Sequence, residues 1–270
     1  MALYFASLNS GSNGNCYYIG NETDAVLIDA GISCRETERR MRKLDLPMER
    51  VRAILISHEH GDHIRGVAVL ARRYALPVYM TTKTWSSGVT GMLQDGLQSF
   101  TAHVPVAFGA LSVIPFPKWH DASDPHSFII ESEGIRIGVF TDIGAPCEHV
   151  IRYFSECHAA FLEANYDDDM LEKGRYPVHL KNRIRGKEGH LSNAQALKLF
   201  NDHRPPYMSH LLLSHLSRDN NHPQLVQELF SPYAGRTQVI VASRYEASAV
   251  YSIGGEAVKR VRAEQMKMPF

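Results

Sequence analysis

The stretch HEHGDH, residues 58–63, follows the apolar run AILIS and limits the fold more than any other feature of the chain. It packs His58, His60, Asp62 and His63, four side chains able to bind metal, into six positions. AILIS reads as a buried strand, and His58, His60 and Asp62 share a face only while the chain stays extended. Gly61 breaks the strand and lets Asp62 and His63 swing to a second point in space. The stretch therefore predicts two adjacent metal positions whose remaining ligands come from elsewhere. Whatever the fold, it must bring distant segments to the end of this strand.

The flanking sequence supplies strands and helices in alternation. LYFASL, CYYIG and AVLID are short β-rich runs separated by the turn formers SGSNGN and NETD. CRETERRMRKL is charged nearly all round and reads as a surface helix, whereas IRGVAVLARRY carries apolar residues at helical spacing behind HEHGDH. PVYM is a further strand. LSVIPF, SFIIES and IRIGVF read as a meander, with a turn at Glu133–Gly134. Then come helix CEHVIRYFSEC, strand AAFLEA, helical segments through residue 183, helix SNAQALKLFNDH, strand HLLLS, helix PQLVQELF and two closing strands, QVIVAS and AVYSI. Both halves mix strands with helices and no long linker divides them. The expected architecture is one α/β domain over residues 1–270, with two mixed β-sheets flanked by helices in a four-layer αββα sandwich.

Composition removes several function classes. Lys plus Arg and Asp plus Glu both total 29, so no global basic field gathers nucleic acid or membrane indiscriminately. The four cysteines form no CxxC pair, which favours reduced thiols in a cytoplasmic protein over a disulfide frame or a thiolate zinc site. MALYFASLNSGSNGN lacks the basic and apolar regions of a signal peptide, and no apolar run reaches the length of about 18 residues that a membrane span needs. A soluble protein with no membrane partner is expected.

Further candidate ligands recur where predicted strands end: His120 after VIPFPKW, Asp142 after IGVFT and His215 after HLLLS. Strand ends are where a scaffold presents functional groups to a shared pocket. Three more imidazole or carboxylate groups beside HEHGDH are enough to complete two coordination shells.

With these residues in view, the chain resembles the metallo-β-lactamase-fold hydrolases. HEHGDH matches their HxHxDH signature, and WHD, FTD and LSHLS follow in the order of their later ligand segments. The resemblance runs from AVLIDAG, with Asp29, to LSHLS. It implies one metal held by His58, His60 and His120, a second by Asp62, His63 and His215, and Asp142 bridging the pair. Such nitrogen–oxygen sites suit two divalent ions, zinc or manganese, and also accept iron. Two cations about 3.5–4 Å apart lower the pKa of a bridging water and neutralise charge growing on the attacked group.

AFLEANYD places Glu163 at a strand end and GHLSNAQA places His190 before a helix. Both segments resemble those of tRNase Z-like phosphodiesterases, in which the carboxylate orients the histidine and the histidine assists the departing oxygen. SLNSGSNGNCYYIG, LIDAGISCRE, LEANYDDDML and HLSRDNNHP resemble the YycJ-like (WalJ-like) branch. That likeness implies a metal-dependent exonuclease acting on DNA, or on RNA, with Asp62, Glu163 and His190 catalytic. The chain has no room for the tRNA-gripping arm of tRNase Z, so a tRNA-processing role is not expected. Two other readings use the same centre: a thioester or small-ester hydrolase, and a non-catalytic binding module held together by metal.

The implied partner is nucleic acid or another phosphodiester. Lys181, Arg183, Arg185 and Lys187, with Lys259, Arg260 and Arg262, are candidate phosphate contacts or simply solvated faces. SGSNGN reads first as a tight turn, with backbone amides able to meet an anion. Ser192 reads as a helix N-cap, and Asn220 and Asn221 as turn formers or, with Asp219, as residues that shape the pocket rim.

Overall fold

The computed structural model describes residues 1–89 and 97–254. The basic cluster Lys259, Arg260 and Arg262 lies outside the described residues. Six strands begin a first sheet: β1 (Leu3–Asn9), β2 (Cys16–Gly20), β3 (Ala25–Ile28), β4 (Val51–Leu55), β5 (Val78–Met80) and β6 (Leu97–Ser99). A second sheet follows from β7 (Val106–Phe108), β8 (Leu111–Pro117), β9 (His126–Ser132), β10 (Ile135–Phe140), β11 (Ala159–Glu163), β12 (His210–Ser214) and β13 (Gln238–Val241). The chain then returns to the first sheet, where β14 (Tyr251–Ile253) pairs with β1. Each sheet has seven strands among the described residues, in the orders β14-β1-β2-β3-β4-β5-β6 and β13-β12-β11-β10-β9-β8-β7.

Both sheets are mixed. The hairpin-linked strands pair antiparallel, while β3 to β6 and β10 to β13 pair in parallel. Strands buried on both faces need continuous apolar sequence, which AVLI, AAFLE and HLLLS supply. Apolar side chains of the two sheets interdigitate in a central core that includes Phe5, Tyr17, Phe128 and Phe161. A second core lies under helices α1 (Cys34–Lys43) and α3 (Val67–Tyr74), on the outer side of the first sheet. A third lies under α5 (Glu148–Phe154), α8 (Asn193–His203) and α9 (Pro223–Phe230) on the second. The layers run helix, sheet, sheet, helix.

The remaining helices are short: α2 (Gly61–Ile64), α4 (Thr82–Thr84), α6 (Asp168–Lys173) and α7 (Val178–Arg185). Among the described residues no helix is long and apolar enough to cross a membrane.

One expectation is corrected. Helix α1 does not carry its charges all round, because Arg40 and Met41 are buried. Arg40 reaches inward to Leu8 O and Asn9 Oδ1, both at 2.6 Å, and to Tyr245 O at 2.8 Å. Carbonyls from two distant segments stand in for water around its guanidinium.

The parallel strands decide where a site forms. Their carboxyl ends all open toward one edge of the sandwich, the side on which open α/β sheets bind ligands. Asp29 follows β3, Ser57 and His58 follow β4, Asp142 follows β10, Glu163 ends β11 and His215 follows β12. Asp29, Asp142 and His215 each leave the strand with positive φ, at 60°, 53° and 56°. Non-glycine residues seldom adopt this conformation, and it concentrates at functional sites.

Candidate metal centre

HEHGDH runs straight from the end of β4 into α2. His60 is the N-cap, with extended backbone, and Gly61 opens the helical turn that carries Asp62 and His63. The turn fits because Gly31 lies behind it: a Cβ at Gly31 would stand 1.6 Å from Asp62 O, so only hydrogen fits there.

The structure brings the seven sequence-predicted ligand residues into one cluster. Ligand atoms of His58, His60 and His120 converge in one group, and those of Asp62, His63 and His215 in another. His58 Nε2 is 3.0 Å from His60 Nδ1, which is 3.4 Å from His120 Nε2. Asp142 lies between the groups: Oδ2 is 3.2 Å from His63 Nε2, and Oδ1 is 3.8 Å from His120 Nε2 and 3.5 Å from His215 Nδ1. His63 Nε2 and His215 Nε2 stand 3.6 and 3.5 Å from Asp62 Oδ2.

Partners behind the rings fix which nitrogens face inward. His58 Nδ1 meets Ser57 Oγ at 2.9 Å, His120 Nδ1 meets Gly189 O at 3.0 Å, and His63 Nδ1 meets Asp29 Oδ2 at 2.8 Å. Asp29 is itself fixed by the Ser57 amide and hydroxyl, at 2.8 and 2.9 Å. Carboxylate and carbonyl partners of this kind hold ligating histidines in one tautomer and raise their basicity.

The donor set fits divalent cations. Asp142 Oδ2 and His215 Nε2 are buried with no hydrogen-bond partner among the described residues, and such orphaned atoms are costly unless something else satisfies them. Burial pushes His58 well below the ordinary imidazole range and His120 down to about 4, which leaves their lone pairs free. Burial also opposes charge on His63, but the Asp142, Asp29 and Asp62 carboxylates outweigh it and raise this ring to about 10. The same half of the cluster that draws a proton in this way is suited to hold a cation.

Glu163 is fully buried beneath the cluster. Its Oε2 accepts from the amides of Ile143 and Leu191, at 2.8 and 3.1 Å. Its Oε1 stands 2.8 Å from His190 Nδ1 and 3.0 Å from His215 Nδ1. Burial works against its ionisation, yet the two histidines hold it at about 2. His190 is part exposed and, with His60, Asp62, His120, Asp142 and His215, lines a cavity of about 290 Å³. Tyr176, Leu180, Arg183 and Ile184, on and just before α7, form its far wall.

Several supporting residues escape a sequence reading. Asn15 Nδ2 approaches His63 Nε2 at 3.1 Å, and Asn165 Nδ2 donates to His215 O at 2.8 Å. Lys118 is buried and donates to Thr141 O at 2.7 Å. No spacing rule marks these residues. Asn220 and Asn221 are more than turn formers, because both are buried and Asn221 Nδ2 donates to Ala164 O, Asn165 O and Asn193 Oδ1. Ser192 does cap α8, in a full capping box with Gln195. The cations on and just after α7 are mostly engaged: Arg183 on Asp121, Arg185 on Glu172, and Lys187 at 3.6 Å over the Trp119 ring.

Fold and site together define a metallo-β-lactamase-fold protein, and the family described as the beta-lactamase superfamily domain matches residues 24–215. The chain belongs to the YycJ/WalJ branch of that superfamily. It is 35% identical to the exodeoxyribonuclease YycJ of Bacillus anthracis over 230 residues, 84% of this chain and 87% of the relative. It is 30% identical to the exodeoxyribonuclease WalJ of Streptococcus pneumoniae over 226 residues, 82% of this chain and 84% of the relative. Among solved structures, the metallo-β-lactamase-fold protein YhfI of Bacillus subtilis superposes with a TM-score of 0.73 at 16% identity, covering 93% of this chain and 99% of that one.

Proposed function

We propose that the chain is a cytoplasmic dinuclear-metal phosphodiesterase, an exonuclease acting on DNA, with residues 1–270 working as one domain. His58, His60 and His120 would hold one divalent ion and Asp62, His63 and His215 the other, with Asp142, which lies between the two groups, available to both. Zinc or manganese suits this mixed nitrogen–oxygen set. The four cysteines are free and buried, in keeping with a reducing compartment. The names of the curated relatives support the DNA substrate.

The observation that carries the reading is the Glu163–His190 pair beside the two ligand groups. When bound, the two cations supply an activated water and neutralise charge developing on the attacked phosphoryl group. The leaving alkoxide still needs a proton. Glu163 Oε1 holds Nδ1–H of His190, so Nε2 is the ring nitrogen left to donate to that oxygen. Asp62 acts as a ligand and helps to orient the attacking water.

Purified protein supplied with zinc or manganese should release nucleotides from labelled single- or double-stranded DNA and turn over a bis-aryl phosphate. A His58→Ala, His60→Ala double variant should lose both metal and turnover, and unchanged turnover would refute the ligand assignment. Faster cleavage of an acyl thioester than of any phosphodiester, insensitive to His190→Ala, would replace this reading with a small-ester hydrolase.

A further inference from the structure

The turn from Ser10 to Asn15 borders the same cavity, and most of it has no role in the chemistry above. Ser12 lines the cavity beside Asp62, His215 and Leu216. Gly11 and Gly14 carry the backbone through φ of +131° and +147°, values that glycine alone adopts readily. Between them Ser12 and Asn13 are exposed, and their amides donate no hydrogen bond among the described residues.

Two arginines crowd this turn. Arg244 Nη2 donates to Ser12 Oγ at 3.2 Å, and Arg65 Nη1 donates to Asn13 O at 3.3 Å. Asn13 Nδ2 ties the turn to Arg244 O at 2.7 Å. Arg244 Nη1 is shut off from solvent and has no acceptor among the described residues. Neither arginine forms an ion pair with a described carboxylate, whereas Arg183, on the His120 side of the cavity, is taken by Asp121. A buried guanidinium N–H without an acceptor is expensive. Two guanidiniums with no carboxylate partner among the described residues, beside free backbone amides, suit a phosphate.

We propose that this turn, with Arg65 and Arg244, is a second phosphate subsite that holds the phosphate next to the scissile one in a nucleic-acid strand. The inference rests on the phosphodiesterase reading and extends it. The substrate is then a chain with at least two phosphates, gripped on the Asp62–His215 side of the centre, and a small diester leaves the subsite unused. Arg65 and Arg244 supply charge, while the Ser12 and Asn13 amides supply direction.

The test measures binding and turnover separately on the metal-loaded protein. Anisotropy of a labelled single-stranded oligonucleotide is followed against salt for the natural chain and for Arg244→Ala, Arg65→Ala, Arg244→Lys and Ser12→Asp. Arg244→Ala and Ser12→Asp should weaken binding about tenfold at low salt, and Arg244→Ala should flatten the log–log salt slope by about 0.7, as for one lost single-strand phosphate contact. Arg244→Lys should recover much of the loss, and Ser12→Asp tests the site without removing the arginine packing. The kcat/KM advantage of a tetranucleotide over a dinucleoside monophosphate should shrink in the same variants. Unchanged affinity and salt slope in both Ser12→Asp and Arg244→Ala would overturn the subsite while leaving the phosphodiesterase reading intact. Arginine-dependent binding in a protein with no phosphodiester turnover would instead keep the subsite and discard the activity.

Discussion

His190 and His215 are tied to each other through one carboxylate oxygen, Glu163 Oε1, at 2.8 Å from one Nδ1 and 3.0 Å from the other. The proposed proton donor and a proposed metal ligand therefore share a support. Glu163→Gln keeps the shape but removes the charge that both rings face, so it should damage two properties together. We expect kcat to fall about 10²–10³-fold, within the range for lost general-acid assistance, and metal affinity to fall about 10–100-fold. His190→Ala should lower kcat while leaving metal content intact. Its loss should be larger on DNA than on a p-nitrophenyl ester, whose leaving group needs no proton. Elemental analysis beside kinetics on both substrates separates the two effects, and equal losses on both would deny His190 the proton.

A second prediction concerns Asp29, which lies at the base of the centre. Its carboxylate meets His63 Nδ1 at 2.8 Å and takes two hydrogen bonds from Ser57. Asp29→Ala strands the buried Ser57 amide and the His63 ring, at a cost of about 1–3 kcal/mol for each unpartnered group. It should also weaken metal binding about 10–100-fold. Urea unfolding and competition with a chromophoric chelator measure the two losses. An unaltered metal affinity would show that His63 is oriented by other contacts.

Metal removal provides a third. Asp62, Asp142 and Glu163 lie close together among the histidines, and a chelator leaves them to protons and the buried Lys118 ammonium for counter-charge. Ligand binding at about 100 times Kd stabilises a fold by about 2.7 kcal/mol. For a chain of this size each kcal/mol moves the melting midpoint by roughly 2–4 °C. Chelated protein should therefore melt roughly 5–10 °C lower, and zinc or manganese should restore it. A midpoint indifferent to chelation would mean that no ion is held in the cluster.

Much of this architecture is legible in the sequence because its central strands are parallel and doubly buried. AVLI, AAFLE and HLLLS need no partner to be recognised, and the polar residue that ends each run is where a site forms. HEHGDH stands out because its histidines crowd one strand end. Pairing that depends on distant chain does not show in the same way. The return of β14 to β1 joins residues about 250 positions apart, and three short residues, Tyr251, Ser252 and Ile253, carry too little pattern to announce it. The left-handed backbone at Asp29, Asp142 and His215 is set by the strand exits and leaves no mark on residue type. Asn15 and Asn165 look like ordinary turn residues until the fold brings His63 and His215 to them. Arg40 misled for a related reason: its charge suggests solvent, but its acceptors arrive from Leu8, Asn9 and Tyr245.

That buried arginine leads to a prediction about acid stability. Glu36 pairs with Arg40 Nε at 2.6 Å and also with Arg39. The hydrogen bond from Arg39 is the largest influence on its carboxyl; burial opposes it, Arg40 reinforces it, and together they hold Glu36 at about 2 against an ordinary 4.5. A carboxyl with a folded pKa below its unfolded value stabilises the fold fully above the unfolded pKa, and that contribution disappears as pH falls to the folded one. The window is therefore pH 4.5 down to about 2. Because Glu36 is about 30% exposed, screening reduces the gain, and we expect about 1–2 kcal/mol at neutral pH. Glu36→Gln should lower the unfolding free energy from urea titration at pH 7 by that amount, and the gap to the natural chain should narrow steadily as both are titrated from pH 4.5 toward pH 2. A gap that stayed constant across that window would assign the stabilisation to packing of the α1 side chains instead of to the charge on Glu36.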